Sequence, residues 1–336
     1  MRIAVIGAGA IGGLLAARFA QAGHQVSVVI RGANLHAVRE KGLRLEIDTS
    51  EQTIAQVKAS DRPEDLGHQD LVLLTMKAHQ LWQMSPSLKP LIHPETSIVT
   101  MQNGLPWWYF HKLPTAYQNQ TLESVDPGGR ISKDLPIDQI LGSVVYPAAE
   151  LKAPGVVRLI EGNRFSLGEI DGAHTDRLRE LCQVFIEAGF KAPMSKDIRS
   201  EIWVKLWGNA TFNPISALTH ATLSQICGNP LSRSLIGDLM QEAQAVGEAF
   251  GVHFKVSINR RIDGAEAVGE HKTSMLQDVE AGRPMEIDAL IGSVVELADI
   301  ASIPVPRLRT VYACVKLLQE QLTQHSGRLK MTTSHL

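Results

Sequence analysis

The chain has 336 residues, 44% of them hydrophobic and 20% charged, with a formal net charge of −2. That length accommodates two domains with their own cores, and the charge balance gives no reason to expect nucleic acid or an anionic membrane as partner. No window approaches the roughly 20 apolar residues that span a bilayer, and the three scattered cysteines, Cys182, Cys227 and Cys314, lack metal-ligand spacing, so reduced core thiols, no metal and a cytoplasmic location are expected.

The first element is the most informative. An apolar strand over residues 3–6 runs into Gly7-Ala8-Gly9-Ala10-Ile11-Gly12, and an apolar helix follows to Ala22. The N-terminal apolar run is too short and glycine-rich for a signal peptide. In a strand–turn–helix the first glycine permits the tight turn. The second lets backbone amides approach a pyrophosphate, and the third lets the helix pack closely on the sheet. A second strand at 26–30 ends at Arg31 with no carboxylate nearby. An acid at that point would hold a ribose 2′-hydroxyl, whereas an arginine suits a 2′-phosphate. The pattern therefore favours NADP(H) over NAD(H), the alternative being an ordinary surface arginine.

Further short apolar runs at 43–47, 71–75 and 97–100 suit buried parallel strands with helices on both faces. Runs at 141–146, 155–160 and 164–167 read as additional strands, antiparallel at the sheet edge. A helix over 175–187 stops at Gly189. From about Lys196 the texture turns helical, with helices expected near 198–217, 222–228, 232–250, 258–268, 275–280, 287–300 and 305–324. The expectation is an α/β Rossmann-type doubly wound domain over 1–195, followed by an all-helical domain over 196–336. No Gly- or Ser-rich linker separates them, and the polar tail after Gly327 is expected to fray.

Four stretches outside the glycine turn carry polar groups in places that suit chemistry. Lys77 and Gln80 follow the 71–75 strand, at the edge where ligands sit in doubly wound folds. A solvated helix start would look the same. Asn103, in Gln102-Asn103-Gly104, would lie at that edge too, although Asn-Gly is also a turn signal. Lys205, Asn209 and Asn213 recur every four residues in an otherwise apolar helix. That spacing stacks them on one stripe, drifting about 40° per step, as in the wall of a cleft or on a solvent-facing surface. Pro214 is expected to bend or end that helix. Ser274 is a candidate for binding a carboxylate and Glu286 for partnering a lysine or holding a substrate hydroxyl, or both are simply helix-start residues.

Taken together, these motifs resemble the ketopantoate reductase family. The resemblance covers nearly the whole chain. It rests on the glycine turn, Arg31, Lys77, Gln80, Gln102-Asn103-Gly104 and Pro154-Gly155-Val156-Val157. It is most specific at Lys205/Asn209/Asn213-Pro214, at Ser274-Met275-Leu276-Gln277-Asp278 and at Glu286-Ile287-Asp288. The resemblance implies a Rossmann domain joined to a helical domain of 6-phosphogluconate-dehydrogenase type, with substrate in the cleft between them. It implies NADPH-dependent reduction of a branched 2-keto acid, in pantothenate and coenzyme A biosynthesis the reduction of ketopantoate to pantoate. Lys205 is then the general acid and Glu286 its companion, with Asn103, Asn209, Asn213 and Ser274 binding substrate. The glycine turn (Gly7, Ala8, Gly9, Ala10, Ile11, Gly12), Arg31, Lys77, Gln80 and Asn103 bind cofactor, and a homodimer is admitted by analogy.

The stretch of about 106–139 is longer than is usual in that family. It opens with Trp107-Trp108-Tyr109-Phe110, which could line the pocket, cover it as a lid, anchor the insertion by packing or form an oligomer contact. A paralogous reductase of another 2-keto acid stays open on this ground. A non-catalytic NADPH sensor is a further alternative, as is a dehydrogenase of the 6-phosphogluconate or 3-hydroxyacid type.

Overall fold

A computed structural model describes residues 1–47, 51–113 and 115–327. The polar tail expected to fray, 328–336, lies outside the described residues. The chain divides into two compact units, Met1–Glu201 and Ile202–Leu336.

The first unit opens with β1 (Arg2–Ile6), α1 (Ala10–Gln21), β2 (Gln25–Val29) and α2 (Gly32–Lys41), followed by β3 (Leu43–Ile47), β4 (Glu51–Ala55) and β5 (Lys58–Ser60). Next come β6 (Leu71–Leu74), α3 (Ala78–Met84) and β7 (Ser97–Thr100), and after the long connection α4 (Arg130–Asp134). The unit closes with β8 (Ile140–Val145), β9 (Ala148–Ala153), β10 (Val156–Glu161), β11 (Phe165–Glu169) and α5 (Asp176–Glu187). Seven strands form the main sheet in the order β11-β8-β7-β6-β1-β2-β5. All its pairs are parallel except β11 with β8.

Two expectations need correction here. The strands at 43–47 and near 155–160 are not in this sheet. They form, with β4 and β9, a second sheet ordered β4-β3-β10-β9. The strand near 141–146 is a parallel neighbour of β7, not an antiparallel edge. The reason lies in α1, whose Leu14, Leu15, Ala16, Ala17 and Phe19 are all buried. A helix that is apolar all round must be covered on more than one face. It packs against β1 and β2 on the main sheet and against β3, β4, β9 and β10 of the second. Gly13 marks the second contact, since a Cβ there would stand 2.5 Å from Val157 Cγ2. The short β4, β5 and β9 carried no signal strong enough to predict.

Thr175 caps α5 by accepting from Leu178 N–H at 3.2 Å. Phe185, on that helix, packs edge-on to Phe19 at 5.0 Å, and Phe165 meets Phe190 at 4.9 Å. Cys182 is buried here, which pushes its thiol up to about 11.

The helical series comprises α6 (Ile198–Thr219), α7 (Leu223–Gly228), α8 (Pro230–Ala249), α9 (Ile258–Glu266), α10 (Ser274–Glu280), α11 (Ser293–Ile300) and α12 (Pro306–Gln324). Starts are written in the sequence. Thr222 and Gln225 form a capping box on α7, Asn229 caps α8 ahead of Pro230, and Ser257 caps α9. As the expected span of 198–217 implied, α6 runs past Pro214 to Thr219, so of the two outcomes expected of this proline, ending the helix is not realised. The helix expected over 287–300 is not uniform, because a π-turn occupies Asp288–Gly292 before α11. Trp207 anchors the helical core, its indole N–H donating to Met240 O at 2.8 Å and its ring lying 4.6 Å from Phe254. Cys227 is buried, but Cys314 is exposed, against the expectation of a core residue. Among the described residues no helix is long and apolar enough to cross a membrane.

Candidate active site

In the first unit, the main sheet places the candidate residues by register alone. Ile6 pairs with Val29 on one side and Leu74 on the other, and Leu74 pairs with Thr100. Parallel strands about 4.8 Å apart therefore release their following loops along one edge. Gly7–Gly12, Arg31, Lys77–Gln80 and Asn103 all belong to those loops or to the first turns of the helices that follow them. The chain leaves β1 for β2 on one side and reaches β6 on the other, so this edge holds a topological switch point, where ligands bind in such sheets.

Each glycine of the turn has a distinct physical task. Gly7 has φ +93, and a Cβ on it would stand 2.9 Å from Met76 N. Gly12 is still tighter, its Cβ position lying 2.4 Å from both Gly7 O and Thr75 Oγ1. A Cβ on Gly9, by contrast, meets nothing within 4 Å, so the turn is open at that position. Helix α1 begins there without a side-chain cap and without an acid in its first turn, which suits an anion. Residues the motif reading passed over hold this turn. The Thr75 hydroxyl donates to Ile6 O and Gly7 O at 3.0 and 2.9 Å. Gln102 Nε2 donates to Leu74 O at 2.9 Å. Asn34 donates to Ala8 O at 3.2 Å and accepts from Gly155 N–H at 2.6 Å, tying the turn to the second sheet. A polar residue at a strand's carboxyl end was the only signal available for Thr75.

Arg31 is the exposed residue ahead of α2, and Lys77 holds the same position ahead of α3. Gln80 is half-buried in the first turn of α3, and Asn103 sits half-buried in the bend that Gly104 completes with φ +91. The turn reading of Asn-Gly and the edge placement of Asn103 are thus both correct.

In the helical unit, Lys205 and Asn209 are half-buried and Asn213 is buried on α6. Trp203, Leu206, Trp207, Ala210 and Thr211 on the same helix are at most 1% exposed. None of the three stripe residues is exposed, and the stripe becomes more buried toward Asn213. Burial lowers the Lys205 ammonium to about 8, and the Glu286 carboxylate pulls the other way. Desolvation wins, a balance that the sequence left open. Glu286 is half-buried just ahead of the helical turn at Ile287. Ser274 stands exposed at the first position of α10, where Thr273 supplies the cap by accepting from Leu276 N–H at 3.2 Å. Gly208, next to Asn209, leaves room for Arg261, whose Nη2 would lie 2.6 Å from a Cβ there.

The aromatic run after Asn103 is core. Trp107, Trp108, Tyr109 and Phe110 are at most 3% exposed. The Trp108 indole donates to Thr100 Oγ1 at 2.8 Å, and its ring fills the space left by Gly142. Arg199 lies over that ring and donates to the Tyr109, His111 and Ile170 carbonyls. Of the readings open for this run, the packing anchor is the one realised.

A glycine turn at a parallel-sheet switch point is the binding architecture of a dinucleotide, and a partly desolvated lysine with a carboxylate acting on it suits proton transfer; each by itself is a feature that a nicotinamide-dependent oxidoreductase uses. Comparison with known proteins narrows the class. The ketopantoate reductase PanE/ApbA family matches residues 3–172, and its C-terminal counterpart matches 197–319. A 2-dehydropantoate 2-reductase of Mesorhizobium japonicum is 51% identical over 95% of this chain and 98% of its own length. A crystal structure from Ralstonia solanacearum MolK2, provisionally named a ketopantoate reductase, superposes with a TM-score of 0.91. It is 39% identical and covers 98% of this chain and 99% of that one. The chain belongs to the ketopantoate reductase family. The same fold carries a D-mandelate dehydrogenase solved with NADH and anilino(oxo)acetate, with a TM-score of 0.83, 21% identity, and coverage of 96% of this chain and 100% of that one.

Proposed function

We propose that the protein is a cytoplasmic, NADPH-dependent 2-dehydropantoate 2-reductase that reduces ketopantoate to pantoate, the step that serves pantothenate and coenzyme A biosynthesis. The observation that carries this reading is Lys205, a half-buried lysine lowered to about 8 and opposed by Glu286, in a chain half identical to a named 2-dehydropantoate 2-reductase. A base of that strength is still mostly protonated at neutral pH and gives up its proton more readily than an exposed lysine.

The residues of the sheet edge fit the cofactor. The open backbone at Gly9 and the amides that start α1 receive the pyrophosphate, with Ala8, Ala10 and Ile11 completing the turn. Arg31 and Lys77 take the 2′-phosphate, and Gln80 and Asn103 lie along the same edge. NADPH, when bound, supplies the hydride. As negative charge develops on the substrate's keto oxygen, the Lys205 Nζ donates its proton to that oxygen, and Glu286 keeps the ammonium charged until then. Asn209 and Asn213 continue the same stripe and offer amide hydrogen bonds to the 2-keto acid. Ser274 supplies a hydroxyl to its carboxylate.

With Trp107–Phe110 buried in the core, the aromatic run no longer argues for a bulkier substrate. The reading extends to a homodimer, supported by the exposed apolar side chains of Leu231 and Leu317 in the helical unit; sedimentation as a monomer at micromolar concentration would remove that part. The test of the whole is NADPH absorbance with ketopantoate and a panel of 2-keto acids. Selective oxidation with ketopantoate is expected, preference for another acid assigns a paralogous reductase, and no oxidation with any of them rejects the enzyme. Arg31→Ala is expected to weaken NADPH by about tenfold, the scale of a hydrogen bond to a charged group, while NADH is unaffected.

A further inference from the structure

Glu286 lies in a non-helical stretch, and both of its flanks are tied to one face of α12. On one side, Met285 N–H donates to Gln319 Oε1 at 2.8 Å. On the other, the Asp288 carboxylate accepts from the Tyr312 hydroxyl at 2.7 Å and from Lys316 Nζ at 3.1 Å. Tyr312, Lys316 and Gln319 are spaced i, i+4, i+7, which puts them on a single helix stripe. The segment between these two anchors contains little besides Glu286 itself.

The local backbone is shaped around the same contacts. Asp288 opens the π-turn Asp288–Gly292, an irregularity that tends to mark functional positions. Ser293 Oγ donates to the Ala289 and Leu290 carbonyls at 2.8 and 3.0 Å, within the register the π-turn disturbs. Gly292 gives the phenol its place, since a Cβ there would stand 3.1 Å from Tyr312 Cε2 and 3.3 Å from Asp288 Oδ1. The ion pair in this arrangement adds little to stability. The Lys316–Asp288 pair is 41% exposed on each side, and exposed pairs contribute little.

We propose that the Tyr312–Lys316–Gln319 face of α12 is a positioning device that fixes Glu286 from both flanks and so sets the charge state of Lys205. The inference rests on the reading of Glu286 as the partner of Lys205. These three are positioning residues, since they act through Glu286. Burial and the hydrogen bond to Asp288 raise the Tyr312 phenol well above its usual range, with the charges of Asp288 and Glu296 adding to the effect. It remains a donor at any working pH. Lys316, whose ammonium also lies 6.0 Å from the Tyr312 ring, is the other charged group at this contact.

The test follows Lys205 directly. The reactivity of its amine toward dinitrofluorobenzene is measured by peptide mass spectrometry across the alkaline range in the full-length protein, so the readout does not depend on turnover. Glu286→Gln is expected to move the Lys205 midpoint acidward by about one pH unit, the scale of losing a nearby opposite charge. Tyr312→Phe combined with Gln319→Leu is expected to move it the same way, by part of that amount. In the Glu286→Gln background the pair should add nothing. Gly292→Ala, which crowds Tyr312 without deleting a polar group, should reproduce the shift if the double variant does not fold. A midpoint unchanged in the folded variants overturns the proposal, and so does a shift that adds to that of Glu286→Gln. If the shifts occur as expected but no 2-keto acid is reduced, the positioning device stands and the proposed reaction fails.

Discussion

The sheet edge of the first unit and the α6 stripe of the second both line up polar groups, but by different means. At the edge, Gly7, Arg31, Lys77 and Asn103 come from chain segments as many as 96 residues apart, and the parallel register alone brings them into one row. On α6, Lys205, Asn209 and Asn213 are neighbours because 3.6 residues make a turn. The edge is held by backbone and needs small residues where chains meet, as at Gly12. The stripe is held by packing and owes its chemistry to what surrounds it, namely burial and the charge of Glu286. A sheet edge thus supplies shape, and a buried helix stripe supplies tuned acidity.

Substitutions at the two places should separate these roles. The largest effect is expected for Lys205→Met. Turnover should fall by about 10²-fold or more, the scale of losing acid–base catalysis, while NADPH binding followed by cofactor fluorescence is retained. Near-native turnover in a folded variant would remove Lys205 from the reaction. Next comes Trp108→Ala, which empties the space beside Gly142 and should cost about 3–5 kcal/mol in a denaturant titration. A loss below 1 kcal/mol would mean that the aromatic run is not the anchor its burial implies.

Gly12→Ala sharpens the comparison at the edge. Its Cβ would stand 2.4 Å from a backbone carbonyl, so overpacking of about 1–3 kcal/mol should be accompanied by weaker cofactor binding. Equilibrium dialysis with NADPH checks the second part, and unchanged affinity would show that the turn does not shape the site. The smallest effect is a gain. Lys205 is lowered from 10.5 to about 8 on folding, so the unfolded chain binds the proton more tightly than the folded one. The ammonium therefore destabilises the fold fully below about pH 8, and this cost fades as pH rises to the unfolded value. For a half-buried group the discounted cost is about 1–2 kcal/mol. Lys205→Met should be more stable than the unmodified chain at pH 7, with the advantage vanishing near pH 10.5. Equal stability at pH 7 would mean that the lysine is not desolvated.

The sequence by itself determined what depends on near neighbours. The strand–turn–helix at Gly7–Gly12, the helix starts near Thr175 and Thr222, and the placing of Lys205, Asn209 and Asn213 on one helix stripe follow from local patterns. The all-apolar character of α1 was legible too, though not its consequence. Tertiary structure decided the rest. Membership of β3 and β10 in a second sheet follows from covering the far face of α1, a long-range requirement that short apolar runs do not encode. Pro214 stays inside α6 because the helix is buried around it, and packing outweighs the lost backbone hydrogen bond. Whether burial or the charge of Glu286 governs Lys205 depends on packing and on a side chain 81 residues away, and the contacts of Met285 and Asp288 with α12 depend on side chains about thirty residues away. Only the folded chain sets the dielectric around the lysine and the hydrogen bonds of those contacts.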